Sequence, residues 1–286
     1  MGEIVGAALV AHVPTMVLPE EVRRELNGGE EISLVPGLRQ LAEEKIRPLE
    51  PDTIVVFDSH WFTTVEHVVT SHDRRHGIFT SSELPRGMRQ VPYDIPGDRQ
   101  LAEAWAAQAD GRNDTWVTAI DDPYLPIYYA TTNLLGFCQG DREAWVSASI
   151  CQTGQPDDFL LLGQLLAATV ADLDRRVVVL ASGGLSHRFW PLRQLRARES
   201  SKLENIRTPE AAAFDLGLLE LMKQGDHAAI IDAMDDFSAH GPEGRFGHYL
   251  AMLGAMGGST CTATGTQYGD YEAAIGTGQA HVWFDL

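Results

Sequence analysis

The sequence predicts an α/β fold, a single-domain sandwich of helices around a substantially parallel or mixed central sheet. Short apolar runs with the length of buried strands alternate with longer segments of helical spacing. The 286 residues, 44% of them hydrophobic, can bury a substantial core. No internal repeat, low-complexity tract or Pro/Ser-rich linker divides the chain, so one domain over residues 1–286 is expected.

The predicted strands are short apolar runs. They cover residues 4–11, 53–57, 65–70, 145–150 and 176–181, and a closing strand is expected in the tail at 276–286. The run at 176–181 is the clearest of them, because every residue after Arg176 is apolar, which is typical of a strand covered on both faces.

The predicted helices lie between these strands, at residues 36–47, 100–109, 158–173 and 247–256. Another long helix begins at Thr208–Pro209–Glu210, where a capping hydroxyl, a proline in the first turn and an early acid are typical of a helix start, and Gly225 is expected to end it. The segment at 71–77 is charged and is interpreted as a solvated loop, although His72 and His76 have the spacing of a helical metal pair.

Charge, cysteine content and hydropathy argue against several classes of protein. A net charge of −18 argues against a nucleic-acid partner, although a local basic patch could still hold a small anion. Three cysteines without a CxxC spacing argue against a disulfide framework and a thiolate zinc site. The first apolar run lacks a basic leader, and no run approaches the ~20 residues that span a bilayer, so a cytoplasmic protein without a membrane partner is expected.

Three histidines, His12, His60 and His187, follow predicted strands. Ligands of open α/β sheets bind beyond the carboxyl ends of the strands, so these side chains can converge at one edge, and Glu243 can enter from a loop. Two neutral imidazoles and one carboxylate form the facial triad that binds Fe(II) and leaves the opposite face open. His12, His60 and Glu243 are therefore candidate metal ligands, and His187 is free for acid–base catalysis.

The chain also resembles a known family in several segments. They are AHVPTM, VVFDSHW, FTSSELPRGM, LASGGLSHRF, the PEG of GPEGRFGHYLAMLGAMGG, and IGTGQAHVWF. Their order and approximate spacing resemble the class III extradiol ring-cleavage dioxygenases, closest to the homoprotocatechuate (3,4-dihydroxyphenylacetate) 2,3-dioxygenase branch. The resemblance runs from near residue 4 to near residue 284.

This resemblance implies a cofactor, a reaction and a division of roles. It implies Fe(2+) held by His12, His60 and Glu243, with His187 as the acid–base residue. The implied partners are a small aromatic diol, first of all 3,4-dihydroxyphenylacetate, and O2, which together give a hydroxymuconic semialdehyde. No organic cofactor is implied.

One segment departs from the family pattern. Where the family has His-Gly-Thr or Tyr-Gly-Thr, followed after two residues by proline, this chain has Asp121–Asp122–Pro123, and Pro126 is interpreted as that proline. The resemblance implies that Asp121 stands where relatives contact the substrate or move protons. The departure leaves the proposed metal ligands unchanged and puts the ring substituent in question.

Recognition of a carboxylate on the substrate requires local positive charge in a chain of −18. Arg188, directly after His187, and Arg245, two residues after Glu243, are the basic residues nearest the proposed iron in sequence. At least one of them is hypothesised to face the pocket, with two surface arginines as the alternative. His248 is a candidate to orient Glu243 or to contact the substrate, or is a structural helix histidine.

Other interpretations remain open at this point. The same chemistry could act on another catechol, a trihydroxybenzoate or a 2-aminophenol. A non-enzymatic binding protein on the same fold is a second alternative, against which the four retained site residues argue. A zinc hydrolase is a third, because two histidines and a glutamate also suit catalytic zinc. A homo-oligomer is expected.

Overall fold

Strands and helices alternate along the computed structural model, which describes residues 2–286. Its strands are β1 (Glu3–Val10), β2 (Thr53–Thr63), β3 (His67–Thr70), β4 (Arg74–Phe79), β5 (Val91–Pro96), β6 (Val117–Ile120), β7 (Ala144–Cys151), β8 (Arg176–Ser182), β9 (Gly265–Gln267), β10 (Glu272–Ala274), β11 (Thr277–Gln279) and β12 (Val282–Asp285). Its α-helices are α1 (Glu20–Leu26), α2 (Leu34–Leu41), α3 (Arg47–Leu49), α4 (Arg99–Ala107), α5 (Tyr129–Cys138), α6 (Pro156–Asp172), α7 (Pro209–Gln224), α8 (His227–Asp232), α9 (Met234–Ser238) and α10 (Gly247–Ala255). A π-helical turn (Ala42–Ile46) joins α2 to α3, and short 3-10 turns include Pro14–Val17, Leu192–Arg198 and Glu243–Phe246.

Eight of these strands form one mixed sheet in the order β6-β3-β7-β2-β8-β1-β12-β9. Its centre is parallel, because β2 pairs in parallel with both β7 and β8, and β8 pairs in parallel with β1. At one side β12 runs antiparallel to both β1 and β9. The predicted α/β class with a substantially parallel or mixed central sheet is therefore confirmed.

Helices cover both faces of this sheet. In β8, Val177, Val179 and Ala181 join the core that includes residues of α6 and α10. The alternating residues Val178 and Leu180 join the opposite core, which includes residues of α2 and α5. Because successive residues of a strand point to opposite faces, a strand buried on both faces must be apolar throughout, which explains the continuous run at 176–181.

The sheet brings the ends of three strands together. Val10 of β1 and Asp58 of β2 both pair with Ser182, the last residue of β8. His12 follows β1, His60 lies in the last part of β2, and His187 follows β8. The predicted convergence of these histidines at the carboxyl edge of the sheet is therefore a direct consequence of the strand register.

Two details differ from the predictions. The segment at 71–77 is not a solvated loop, because β4 pairs with β5 as an antiparallel hairpin in which Arg75 is buried. The tail contains two short strands: β11 pairs with β10 in a separate small sheet, and only β12 joins the central sheet.

Among residues 2–286, no helix is long and apolar enough to cross a membrane, and Cys138, Cys151 and Cys261 are buried free thiols.

Candidate metal centre

His12 lies at the end of β1 with its Nε2 atom turned toward Glu243. Its Nδ1 atom is 3.0 Å from the hydroxyl of Ser182, and that hydroxyl donates its proton to the carbonyl of Ala130 over 2.6 Å. A serine hydroxyl has one proton, so Ser182 must accept from the Nδ1–H of His12. In the neutral imidazole this hydrogen bond leaves the lone pair that a metal ligand needs on Nε2 of His12.

His60 lies where β2 leaves its regular pairing with β7. Asp58 organises this irregularity, because its Oδ1 accepts the backbone N–H of His60 at 3.0 Å and its Oδ2 accepts the hydroxyl of Thr131 at 2.7 Å. The Nδ1 atom of His60 is 3.1 Å from the carboxylate of Glu83. A proton on Nδ1 would leave the Nε2 lone pair facing Glu243.

Glu243 is almost completely buried and opens the turn Glu243–Phe246. Its Oε2 accepts the backbone N–H of Gly184 at 2.6 Å, and its Oε1 accepts the hydroxyl of Ser59. A side chain at position 184 would meet Gln279, since a Cβ there would lie 2.4 Å from the Gln279 amide nitrogen. Glycine thus lets the backbone N–H approach the carboxylate closely.

The three side chains form a compact donor set. The Nε2 atoms of His12 and His60 are 3.3 and 3.4 Å from Oε1 of Glu243, and the candidate ligand atoms all lie within 4.8 Å of one another. Ligands at about 2.0–2.2 Å from a metal are roughly 3 Å apart when they occupy neighbouring octahedral positions. The set therefore fits a divalent ion, and its two imidazoles and one carboxylate suit Fe(II) with open positions.

The electrostatics of the cluster also favour a cation. Among the residues described, Glu243 has ion-pair contacts only with His12, His60 and His187, and none with a lysine or arginine. Burial alone would raise the pKa of the Glu243 carboxyl, but these imidazoles outweigh burial and hold that pKa well below its usual range. A buried ionised carboxylate is costly without a compensating cation, which a bound metal ion would supply.

His187 lies beside the cluster. Its Nε2 is 3.6 Å from Oε2 of Glu243, its ring packs edge-on against Phe189, and its backbone N–H donates to the carbonyl of Gly241. Burial lowers the pKa of His187. A neutral imidazole at neutral pH can accept a proton, as an acid–base residue must.

A cavity of about 570 Å³ opens onto these residues. Its wall at the cluster is formed by His12, His60, Tyr129, His187 and Glu243. A concave site of this size with a few convergent polar groups is typical of small-molecule binding, and its volume lies within the usual range of about 300–1,000 Å³.

The comparisons with known proteins agree with this geometry. Residues 6–282 match the family described as the catalytic LigB subunit of aromatic ring-opening dioxygenase. The chain belongs to this family. The predicted resemblance to extradiol ring-cleavage dioxygenases is thereby confirmed, and this LigB-family chain is an enzyme.

Individual relatives cover nearly the whole LigB-family chain. The 3,4-dihydroxyphenylacetate 2,3-dioxygenase of Escherichia coli is 28% identical over 262 residues, which are 90% of this chain and 91% of the relative. The 2-aminophenol 1,6-dioxygenase beta subunit of a Pseudomonas species is 27% identical over 300 residues, covering 100% of this chain and 95% of the relative. The crystal structure of an uncharacterized protein from Escherichia coli K12 covers 98% of this chain and 99% of that chain, with a TM-score of 0.65 at 18% identity, and it shows a similar fold.

Sequence reasoning missed the helix that braces the LigB-family site. The first residues of α5 lie across the strand ends: Tyr129 places its hydroxyl 2.6 Å from Nε2 of His60, and Asn133 donates to the carbonyl of His12 at 2.7 Å. Burial raises the pKa of the Tyr129 phenol, so it stays protonated and can donate a hydrogen bond. A tyrosine beside an apolar run has no distinctive spacing, so the sequence alone does not mark Tyr129 as a site residue.

The sequence also does not reveal the role of a loop that lines the cavity. Residues 81–88 are closed by a hydrogen bond from the backbone N–H of Ser81 to the carbonyl of Met88 at 2.9 Å. Within this loop Leu84 and Arg86 line the cavity, and Glu83 reaches His60. The loop lies within the FTSSELPRGM segment, but a lone glutamate offers no pattern that marks it as the partner of a distant histidine.

His248 lies behind the metal centre and does not line the cavity. It is completely buried, and its Nε2–H donates to the carbonyl of Gly184 at 3.2 Å, while the N–H of Gly184 holds Glu243. Burial lowers the pKa of His248 to about 4, so its ring is neutral. These contacts favour the predicted orienting role over direct substrate contact.

Three other candidate substrate residues lie away from the cavity. Arg188 is exposed and lies beside Gly241. Arg245 has a left-handed backbone (φ 57°) and donates to the carbonyl of Gln152 and the side chain of Gln155. Asp121 is exposed and pairs with Arg99 at 2.9 Å. None of the three lines the cavity in the described chain.

A buried carboxylate supports the segment that carries His187. Asp215 of α7 accepts the backbone N–H and the hydroxyl of Ser186 at 3.1 and 2.6 Å, and the hydroxyl of Tyr271 at 2.5 Å. Burial raises the pKa of Asp215 to about 6, while the Ser186 and Tyr271 hydrogen bonds act in the opposite direction. Asp215 thus ties the residue before His187 to the residue before β10.

Replacement of Asp215 by alanine should destabilise the protein and misplace His187. Three buried donors would lose their acceptor, so we expect a loss of about 2–5 kcal/mol in the free energy of unfolding, with slower turnover at unchanged metal content. Urea denaturation, metal analysis and O2 uptake measure these three effects. Asp226→Ala removes an exposed helix cap and should cost only about 1 kcal/mol; equal effects of the two substitutions would contradict the role of Asp215.

Proposed function

We propose that this LigB-family enzyme is an Fe(II)-dependent extradiol dioxygenase that opens a catechol with O2 to give a hydroxymuconic semialdehyde. The observation that carries the proposal is the donor set of buried His12, half-buried His60 and buried Glu243 at the wall of a ligand-sized cavity, with His187 beside it. The family match supports the same reaction class.

The protein side chains would divide the work between holding the metal and moving protons. His12, His60 and Glu243 would hold Fe(II), and the bound ion would supply a Lewis-acidic, redox-active centre for a catechol and O2. His187 accepts a proton from the catechol at Nε2 and later returns it to a product oxygen. The Tyr129 hydroxyl, 2.6 Å from Nε2 of His60, is placed to donate a hydrogen bond near the same centre.

The ring substituent is the least constrained part of this function. The sequence-based substrate, 3,4-dihydroxyphenylacetate, is also named in the Escherichia coli relative. Of the arginines that line the cavity, Arg23 is paired with Glu31, whereas Arg86 has no ion pair among residues 2–286. If the ring substituent carried a carboxylate, Arg86 would be the arginine available to it in the cavity wall, in place of Arg188 and Arg245. The name of the Pseudomonas relative keeps 2-aminophenol as an alternative substrate.

Reconstitution with defined metals tests the proposed reaction. With Fe(II), a catechol should consume about one O2 per molecule and give a ring-opened product, whereas the Zn(II)-loaded protein should consume none. Hydrolytic activity of the zinc form without O2 uptake by the iron form would favour the hydrolase alternative. O2 uptake by the iron form with 2-aminophenol but with no catechol would favour the aminophenol alternative. Sedimentation of the same samples tests the predicted homo-oligomer.

A further inference from the structure

The cavity extends well beyond the space that a bare catechol ring needs. Besides the metal centre, its wall includes apolar residues from two separate parts of the chain. One part, around α1 and the start of α2, contributes Leu18, Leu26, Ile32 and Leu34; the other, β10 and the residue after it, contributes Ala273, Ala274 and Ile275. A volume of about 570 Å³ lies in the range that accommodates drug-sized ligands.

The buried arginine of this cavity is already paired with a carboxylate. Arg23 is 6% exposed, and its Nε and Nη2 atoms form a two-pronged ion pair with Glu31 at 2.8 and 2.6 Å. Its Nη1 donates to the carbonyl of Leu18. Three of its five N–H groups have partners and Glu31 already neutralises its charge, so Arg23 offers a substrate carboxylate no unpaired positive charge.

A second charged group in the wall opposes an anion. Glu272 is 6% exposed and lines the cavity, and its Oε1 accepts the backbone N–H of Ser33 at 2.7 Å. Its Oε2 is buried and has no hydrogen-bond partner. Burial raises the pKa of Glu272; in its ionised form this side chain would repel a substrate carboxylate, whereas it would not repel an uncharged substituent.

We propose that the substrate is a catechol with an extended, largely apolar and uncharged substituent that lies between the α1 region and β10, and that Glu272 disfavours anionic substituents. This inference rests on the proposed ring cleavage and concerns only what the remaining cavity accepts. The alternative is a substituent that carries a carboxylate. Arg86, exposed on the loop at 81–88, is the only lysine or arginine without an ion pair that lines the cavity in the described chain and could bind such a group.

Comparison of substrates tests this inference on the Fe(II)-loaded enzyme. Across 4-methyl-, 4-butyl- and 4-hexylcatechol, kcat/KM should rise by up to about fourfold per methylene, as expected for burial of each CH2 group. The kcat/KM values for 4-butylcatechol and 4-hexylcatechol should both be higher than the value for 3,4-dihydroxyphenylacetate. A flat series, or a preference for the carboxylate, would overturn the inference while leaving ring cleavage intact.

Two substitutions locate the effect in the cavity. Ala274→Phe narrows the wall and should lower kcat/KM for 4-hexylcatechol at least tenfold more than for 4-methylcatechol. Glu272→Gln keeps an oxygen for the Ser33 N–H but removes the charge, so it should raise kcat/KM for 3,4-dihydroxyphenylacetate relative to 4-butylcatechol. If Ala274→Phe changes kcat/KM equally for 4-hexylcatechol and 4-methylcatechol, the inference is contradicted. The same holds if Glu272→Gln changes kcat/KM equally for 3,4-dihydroxyphenylacetate and 4-butylcatechol.

Arg86→Met tests whether the cavity instead binds a substrate carboxylate through Arg86. The inference predicts the same small change in kcat/KM for 3,4-dihydroxyphenylacetate and for 4-butylcatechol. A selective loss for the carboxylate would place that group at Arg86 and overturn the inference alone. Failure of the iron-loaded enzyme to cleave any catechol would instead overturn the proposed function, and with it this inference.

Discussion

Replacement of Glu243 by alanine is expected to remove iron from the protein and to abolish ring cleavage. Glu243 supplies the only carboxylate of the cluster identified in the described residues, and its Oε1 lies 3.3–3.4 Å from both candidate imidazole ligands. Without this carboxylate, two neutral imidazoles would be the remaining protein ligands, and no negative charge of the cluster would balance the divalent metal ion. His12→Ala and His60→Ala should have the same effect, since each removes one of three protein ligands.

Iron content by elemental analysis and O2 uptake on adding catechol measure this effect. His227 offers a matched control, because it is also fully buried but bonds to Tyr249 and to the carbonyl of Ala263, away from the cluster. His227→Gln should retain iron. Full iron content and full turnover in any of the three alanine variants would show that the residue is not a ligand.

Replacement of His187 by glutamine should separate metal binding from proton transfer. Its Nε2 lies beside Glu243 at 3.6 Å, but it is not a member of the compact three-residue donor set. We therefore expect iron to remain bound while turnover falls by ~10²–10⁴-fold, the usual effect of losing a general acid–base group. The loss should appear in kcat and in kcat/KM alike, because proton transfer stabilises the transition state.

His240 provides the control for this substitution. It precedes Glu243 by three residues, but its ring packs on Phe214. His240→Gln should leave both iron and turnover nearly unchanged. If His187→Gln loses iron together with activity, His187 is a ligand and the proposed division of roles is wrong.

The parts of the site that follow from strand ends could be predicted from the sequence. His12, His60 and His187 follow short apolar runs, and parallel pairing of β1, β8 and β2 must bring such positions to one edge. Glu243 completed a recognisable ligand set. These inferences needed only the order of the elements and the chemistry of four side chains.

The parts that depend on packing across the sequence could not be predicted in the same way. Tyr129 and Glu83 contact His60 across 69 and 23 residues, and neither has a periodicity that marks it. Arg245 follows Glu243 closely, yet its left-handed backbone is associated with contacts outside the cavity. The side chains of neighbouring residues in an irregular turn point in different directions. Proximity in sequence to a metal ligand is therefore a poor guide to which side chains line the cavity.

Crystallographic anomalous scattering at the iron edge tests the central claim most directly. For the Fe(II)-loaded protein we expect one peak at about 2.0–2.2 Å from Nε2 of His12, Nε2 of His60 and a carboxylate oxygen of Glu243, with His187 beyond bonding distance. A peak bonded to His187, or the absence of any peak at these three residues in protein that cleaves catechol, would contradict the proposed centre.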